Sequence, residues 1–425
     1  MKIVQRLKIG LKSDFNKNFA VLFSGSVIAQ SIPLAASIIL ARIYPPEDFG
    51  ILAVYTALVQ IFTSIANLRY EFTIPLPKED EDAINLSFLS IIIAISVSLL
   101  LLMAFILFTK PILHLIGGEK LGNWIFFVPL SIFLGGLYNM LNYFSVRFKK
   151  YKTIAGSNIL KAGTGAVFQS GLGIVGLRHS GLIIGNILSN LSGNLKMIRH
   201  FLSYKSEFKA VNKNRIWKMA KRYKDFPLIS TWGIFLNSSS ININNFFISN
   251  LFGVNQLGFY SYSYRYLNIP LSLISTNMGQ LFFQICADCH KEKRDAKKEF
   301  ISTLKKLLTI CTPFFLILYF IVVDVLAFVF GEKWRIAGVY AQILLPLFFI
   351  RTIFSPLSMI NGAFEKQRLA LLIQSSIFFT NIISFLISYQ LHLKIESFLH
   401  LYMILGVTTY TLNLYVLYLV AIKRI

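Results

Sequence analysis

Apolar runs long enough to cross a bilayer recur from one end of this sequence to the other, and nothing else in it constrains the fold so strongly. A spanning helix needs about 20 predominantly apolar residues. The cleanest run, residues 84–108, carries no charge at all. The chain is 55% hydrophobic and only 14% charged, with a mean hydropathy of +0.62. Soluble domains run nearer 45–50% apolar and about 25% charged. The excess is spread along the whole chain, so no single buried core accounts for it. The basic start (Lys2, Arg6, Lys8, Lys12) leads into an apolar segment of full spanning length, with no small-residue cleavage site after it. Three cysteines make no disulfide framework.

The runs place spans at about 18–43, 49–68, 84–108, 123–145, 154–177 and 180–202. A second set falls at about 226–251, 255–285, 304–330, 337–362, 369–390 and 397–421. Loops between spans are short. The longest polar stretch, 203–225, separates two six-helix bundles at 1–202 and 226–425. With the N-terminus in the cytoplasm, 32 of the 42 lysines and arginines fall on the cytoplasmic side and seven on the other. The net charge of +23 is therefore mostly one membrane face against anionic headgroups, not a nucleic-acid surface.

A weak internal repeat runs through both sets. A shift of 208 lays Ser24-Gly25 on Trp232-Gly233 and Phe49-Gly50 on Leu257-Gly258. Farther on, Gly118-Glu119-Lys120 matches Gly331-Glu332-Lys333, and Val128-Pro129-Leu130 matches Leu345-Pro346-Leu347. Six spans is an even number, so both halves face the same way. The expected fold is an all-α multi-pass membrane protein of about twelve transmembrane helices. Its two parallel six-helix halves are related by a pseudo-twofold along the membrane normal, with both termini cytoplasmic. Proteins of that kind usually hold substrate between halves and expose it alternately.

Charges inside the spans point to a site. A central Arg, Lys or Asp costs about 2.5–3.5 kcal/mol on insertion scales. Lys161, Arg265 and Arg351 qualify. At 100° per residue Ser261, Arg265, Asn268, Ser272 and Ser275 share a strip about 80° wide. The bland reading is an interhelical hydrogen-bond seam, yet a seam does not require a guanidinium. Arg351, Ser355 and Ser358 form a similar strip, whose bland reading is a bond to broken backbone near Pro346 or Pro356. Lys161 shares a face with Ser157 and Thr164; it also lies near enough to the cytoplasmic end to snorkel. The seventh span is rich in amides, with Asn242 and Asn245 on one face. The repeat aligns Gln30 and Ser37 with Ser238 and Asn245. Amides and hydroxyls both donate and accept, as sugar hydroxyls demand. An Arg fork matches phosphate oxygens. Phosphate plus sugar is the simplest chemistry that uses both sets.

Asp324 is the one clear acid within a span and a candidate for ion coupling, although its place near the outer end also suits an interfacial residue. Arg69 and Glu71 close the second span on the cytoplasmic side as a candidate gate. The acidic run Glu79–Asp82 follows, either as a solvated loop or as a latch for basic segments such as Lys291–Lys298. The basic stretch 203–225, with Trp217 and Tyr223, suits the headgroup region. Cys286-Ala-Asp-Cys289-His290 spells a haem-attachment pattern on the wrong side of the membrane, and two cysteines with one histidine fall short of a zinc site. No phosphate-binding loop, nucleophile elbow or zincin helix occurs, so no cofactor, no metal and no catalytic residue is expected.

Two stretches resemble a known family: Leu40-Ala-Arg-Ile-Tyr-Pro-Pro-Glu-Asp-Phe-Gly50, and the run from Arg69-Tyr-Glu-Phe-Thr-Ile-Pro through Leu86. They are similar to the start of bacterial polysaccharide-biosynthesis flippases of the O-antigen (Wzx) type. That family belongs with the multidrug/oligosaccharidyl-lipid/polysaccharide exporters, so the resemblance implies a MATE-like fold. It also implies a substrate, an undecaprenyl-diphosphate-linked oligosaccharide turned from the cytoplasmic to the outer leaflet of the bacterial inner membrane. It further implies cations in a central lumen, with Arg265 placed where such families carry a functional arginine. Membrane lipids, and a polysaccharide polymerase or glycosyltransferases, are the expected partners. The rivals are a cation-coupled multidrug exporter of the same fold, a flippase for the lipid-linked peptidoglycan precursor, and a polytopic enzyme of polysaccharide assembly. The first would carry acids in its core. The enzyme would show a large external loop or an intramembrane histidine.

Overall fold

The computed structural model describes residues 14–423, with side chains at all of these except 14–23, Ile229, Pro270, Leu273 and Thr276. The basic start, Lys2 to Lys12, lies outside them. Every regular element among the described residues is helical. The first are α1 (Asp14–Ile43), α2 (Pro46–Thr63), α3 (Asp80–Leu107), α4 (Thr109–Leu115), α5 (Val128–Arg147), α6 (Tyr151–Ile174), α7 (Arg178–Leu202) and α8 (Lys213–Arg222). There follow α9 (Thr231–Lys291), α10 (Lys297–Phe330), α11 (Arg335–Leu357), α12 (Ile360–Ala363), α13 (Gln367–Gln390) and α14 (Ile395–Ala421).

Local chemistry explains the ends. Pro46 opens α2, where a missing N–H costs nothing, and Glu47 and Asp48 in the first turn meet the positive end of the helix dipole. The second span was expected to reach 68, but α2 stops at Thr63. Leu68 and Arg69 take left-handed φ values of 47° and 66°, and the chain turns through a 3₁₀ segment at Tyr70–Thr73. The seventh and eighth expected spans form one run of 61 residues, broken at Gly253 with φ 82° and ψ 163°. A side chain would not tolerate that backbone. The sequence-based boundary at 252–254 marks the same break.

Among the described residues, seven helical stretches are long and apolar enough to cross a membrane: Ser24–Ile43, Asp80–Leu107, Glu119–Arg147, Lys297–Phe330, Glu332–Ala363, Gln367–Gln390 and Ile395–Ala421. The other expected spans are helical but more polar. Proline and two acids open α2, and Gly, Ser and Asn recur through α6, α7 and α9. Such helices depend on protein neighbours for their polar faces.

The chain divides into two compact units. One runs to Leu115 and resumes at 119–235; the other comprises 116–118 and 236–425. The core of the first gathers Ile84, Met140, Phe144, Ile154, Met197 and Phe201. The stretch 203–225, expected as a linker between halves, is folded onto this unit. Met219 of α8 is buried in its core. The Asn85 amide donates to the Ala210 carbonyl at 3.1 Å and its oxygen accepts from the Asn212 N–H at 3.1 Å; Tyr70 donates to the Ala220 carbonyl at 3.0 Å.

The second unit packs Phe282, Phe300, Leu307, Ile353, Phe354 and Leu417 together, with Cys286 and Cys289 buried among them. Burial pushes the Cys286 thiol up to about 12. These thiols act as small apolar groups. Close helix approach depends on small residues: a Cβ on Gly338 of α11 would sit 2.6 Å from the Val323 Cα of α10.

Candidate functional site

The second unit encloses a cavity of about 320 Å³. Both arms of α9 contribute: Asn237 and Ser240 from the first, Tyr264, Asn268 and Leu271 from the second. Arg351 and Ser355 come from α11, and Ser358 is the residue that caps its C-terminal end. Gln374, Thr380 and Asn381 come from α13, and Tyr402, Thr409 and Tyr410 from α14. The walls are tied by their own polar groups. Asn381 donates to the Ser240 carbonyl at 2.7 Å, the Thr380 and Thr409 hydroxyls lie 2.8 Å apart, and Asn413 donates to Ser376 at 3.0 Å.

Among the described residues no carboxylate lines this cavity, and Arg351 is the one charged lining residue. Among the described residues no acid lies within ion-pair distance of that guanidinium. Nη1 instead donates to the Tyr264 hydroxyl at 3.1 Å. The cation sits 5.0 Å from the ring centre of Phe348, 5.5 Å from Tyr264 and 6.0 Å from Tyr410. Ring quadrupoles stabilise a desolvated cation by about 0.5–2 kcal/mol, less than a full negative charge would. The cavity thus offers a preformed fork for an anion, ringed by amides, hydroxyls and aromatic faces.

The structure distributes the sequence candidates unevenly. The Arg351–Ser355–Ser358 strip and Asn268 line the cavity. Arg265 does not: it is exposed, and its strip is used only at the opposite edge, where Asn268 joins Tyr264. Asn242 is buried but spends its amide on the Ser238 carbonyl at 2.9 Å. Asn245 is half-buried and outside the cavity lining; the neighbouring face of the same helix supplies Asn237 and Ser240. Lys161 lies in the first unit, its Nζ 4.9 Å from the Tyr138 ring centre. Gln30 is exposed on α1. Asp324 is exposed and accepts from Arg335 Nη1 at 2.9 Å, an arrangement suited to the end of a span. The sequence reasoning passed over Tyr264, Tyr402 and Tyr410, and the hydroxyls and amides of α13 and α14. Their signal was present as helical spacing of seven and four residues (Tyr402, Thr409, Asn413), but without a charge to draw attention.

In the first unit Arg69 and Glu71 do meet, with Nη1 3.7 Å from Oε1. Glu71 is buried, its Oε2 has no hydrogen-bond partner, and burial pushes its carboxyl up to about 7. The Arg69 guanidinium lies 3.3 Å from the Phe72 ring centre. The acidic run Glu79–Asp82 is latched within the first unit. Arg147 holds Asp80 at 2.7 Å and the carbonyls of Ile74, Pro77 and Lys78. Arg215 of α8 holds Glu79 at 2.9 Å, Asp82 at 3.0 Å and Glu81. Arg294 of the Lys291–Lys298 segment pairs locally, with Glu292 and Glu299.

Comparison with known proteins follows the same line. Among solved structures, the chain is similar to a multidrug resistance MATE family transporter of the MOP superfamily in its inward-facing conformation. The TM-score is 0.74 at 12% identity, covering 94% of this chain and 99% of the other. It is similar to the lipid II flippase MurJ in an inward closed conformation, with a TM-score of 0.73 at 12% identity over 95% and 87%. A MOP superfamily transporter from Pyrococcus furiosus matches at 0.61 and 14% identity over 97% and 96%. At such identities the likeness speaks for the fold, and it bears out the all-α, MATE-like membrane fold expected from the sequence. A search of curated proteins finds no match. The family model described as "Polysaccharide biosynthesis protein" matches residues 39–337, most of the chain, and the protein belongs to that family.

Proposed function

We propose that the protein is a flippase for an undecaprenyl-diphosphate-linked oligosaccharide, the building unit of O-antigen or a related surface polysaccharide. It would turn this lipid from the cytoplasmic to the periplasmic leaflet of a bacterial inner membrane by alternating access. One observation carries the reading: Arg351 sits in an acid-free cavity among hydroxyls, amides and tyrosines. A guanidinium without a carboxylate suits a diphosphate. The surrounding amides and hydroxyls suit a sugar, with the tyrosine rings as stacking faces. The membership in a polysaccharide biosynthesis family and the fold shared with a lipid II flippase support the same reading. A multidrug exporter driven by a cation finds less support here, because the cavity holds no acid and Asp324 is paired and exposed.

The test is genetic and chemical together. Arg351→Ala should sharply reduce surface polysaccharide while lipid-linked oligosaccharide accumulates in the membrane. Arg351→Lys should retain part of the activity. Normal polysaccharide from an Arg351→Ala protein present at normal level would overturn the proposal.

A further inference from the structure

The cavity makes no use of α8, which is short, basic and strongly two-faced. At 100° per residue Arg215, Ile216 and Met219 fall on one side. That side is occupied. Met219 is buried in the first unit's core, and the Arg215 guanidinium engages Glu79, Glu81 and Asp82. Three ion pairs from one residue fix the rotation of the helix about its axis. The opposite strip, about 140° wide, carries Lys213, Trp217, Lys218 and Lys221. All four are exposed, Trp217 to 66%.

Depth is fixed as well. α8 and the turn before it are seated on the first turns of α3, where Asn85 bonds both Ala210 and Asn212. The uncharged run of α3 begins at Ile84, so α8 lies where that span leaves the hydrocarbon. Trp is enriched at this depth because its ring is apolar and its N–H is polar. Lysine is a flexible point charge, suited to a fluid field of phosphates more than to a fixed carboxylate fork.

We propose that the Lys213–Trp217–Lys218–Lys221 strip of α8 docks on the anionic phospholipid headgroups surrounding the first unit, with Arg215 and the acidic run serving as its anchor to the protein. This holds whatever the cavity of the second unit carries.

Full-length protein in lipid nanodiscs tests it through Trp217 fluorescence, isolated by subtracting the signal of Trp217→Phe. Brominated phosphatidylglycerol in a phosphatidylcholine background should quench Trp217 several-fold more than brominated phosphatidylcholine at equal bromine content. The triple variant K213Q/K218Q/K221Q should quench equally with both lipids, while its far-UV circular dichroism stays unchanged. Equal quenching of the unaltered protein by the two lipids would overturn the proposal. So would a Trp217 that no brominated lipid reaches but aqueous iodide does, the pattern of a strip that faces water and awaits an acidic protein.

Discussion

Two arginines of this protein sit in opposite circumstances. Arg147, at the end of α5, is 9% exposed and has its guanidinium filled by Asp80 and three backbone carbonyls. Arg351, in the middle of α11, has a phenol and three aromatic rings but no acid. An arginine whose donors are spent within the fold is a fastener. One that is half-buried against π-faces, with a cavity before it, is an incomplete interaction that an anion would finish. Arg215, which anchors α8, is a fastener like Arg147, whereas Arg265 stands exposed outside the cavity and is neither kind.

The largest expected effect falls on transport. Charge-assisted hydrogen bonds contribute about 1.5–3 kcal/mol, so Arg351→Ala should slow translocation by about 10- to 100-fold in a reconstituted flipping assay. Arg265→Ala should slow it less; a larger loss there than at Arg351 would break the comparison. Arg147→Ala should act on stability instead. Losing a well-bonded guanidinium that ties the 74–80 loop should cost about 2 kcal/mol, read as a lower unfolding temperature in detergent with the activity per folded molecule retained.

Glu71 gives an effect on stability that depends on pH. Its folded carboxyl titrates near 7, above the usual carboxylate value, so the folded state binds the proton more tightly than the unfolded chain. Stability should therefore fall as pH rises from about 4.5 to 7, by about 3 kcal/mol across the interval, and stay low above it. Thermal melts from pH 5 to 8 should show this slope, and Glu71→Gln should flatten it. A slope of the opposite sign would place a charged, well-paired carboxylate there. Smallest of all is Asp324→Asn. An exposed pair contributes about 0–1 kcal/mol, so both stability and transport should be nearly unchanged. A transport loss would make Asp324 a coupling residue after all.

The fold was legible because hydropathy and charge asymmetry act over whole spans and survive local error. The break at Gly253 fell between the expected seventh and eighth spans, and Arg351 was visible as a charge where none is tolerated. Rotation about a helix axis was the weak point. Asn242 and Asn245 were preferred over Asn237 and Ser240 on the same span, and Arg265 was grouped with Asn268 across a strip that the cavity uses only at one edge. A difference of about 60–160° about a helix axis decides such choices, and it depends on packing partners that lie far off in sequence. The tyrosines were missed for a related reason: an aromatic at helical spacing looks like core until a cation is placed beside it. The latch on Glu79–Asp82 was anticipated, but its partners, Arg147 and Arg215, are set by tertiary contacts.

The central claim is that Arg351 awaits a phosphate-bearing ligand. It is tested most directly by titrating the purified protein in nanodiscs with a short-chain polyprenyl diphosphate carrying one sugar. Saturable binding should weaken at least about tenfold in Arg351→Ala and be largely retained in Arg265→Ala and Arg147→Ala. Unchanged affinity in Arg351→Ala, with the protein folded, would contradict the account.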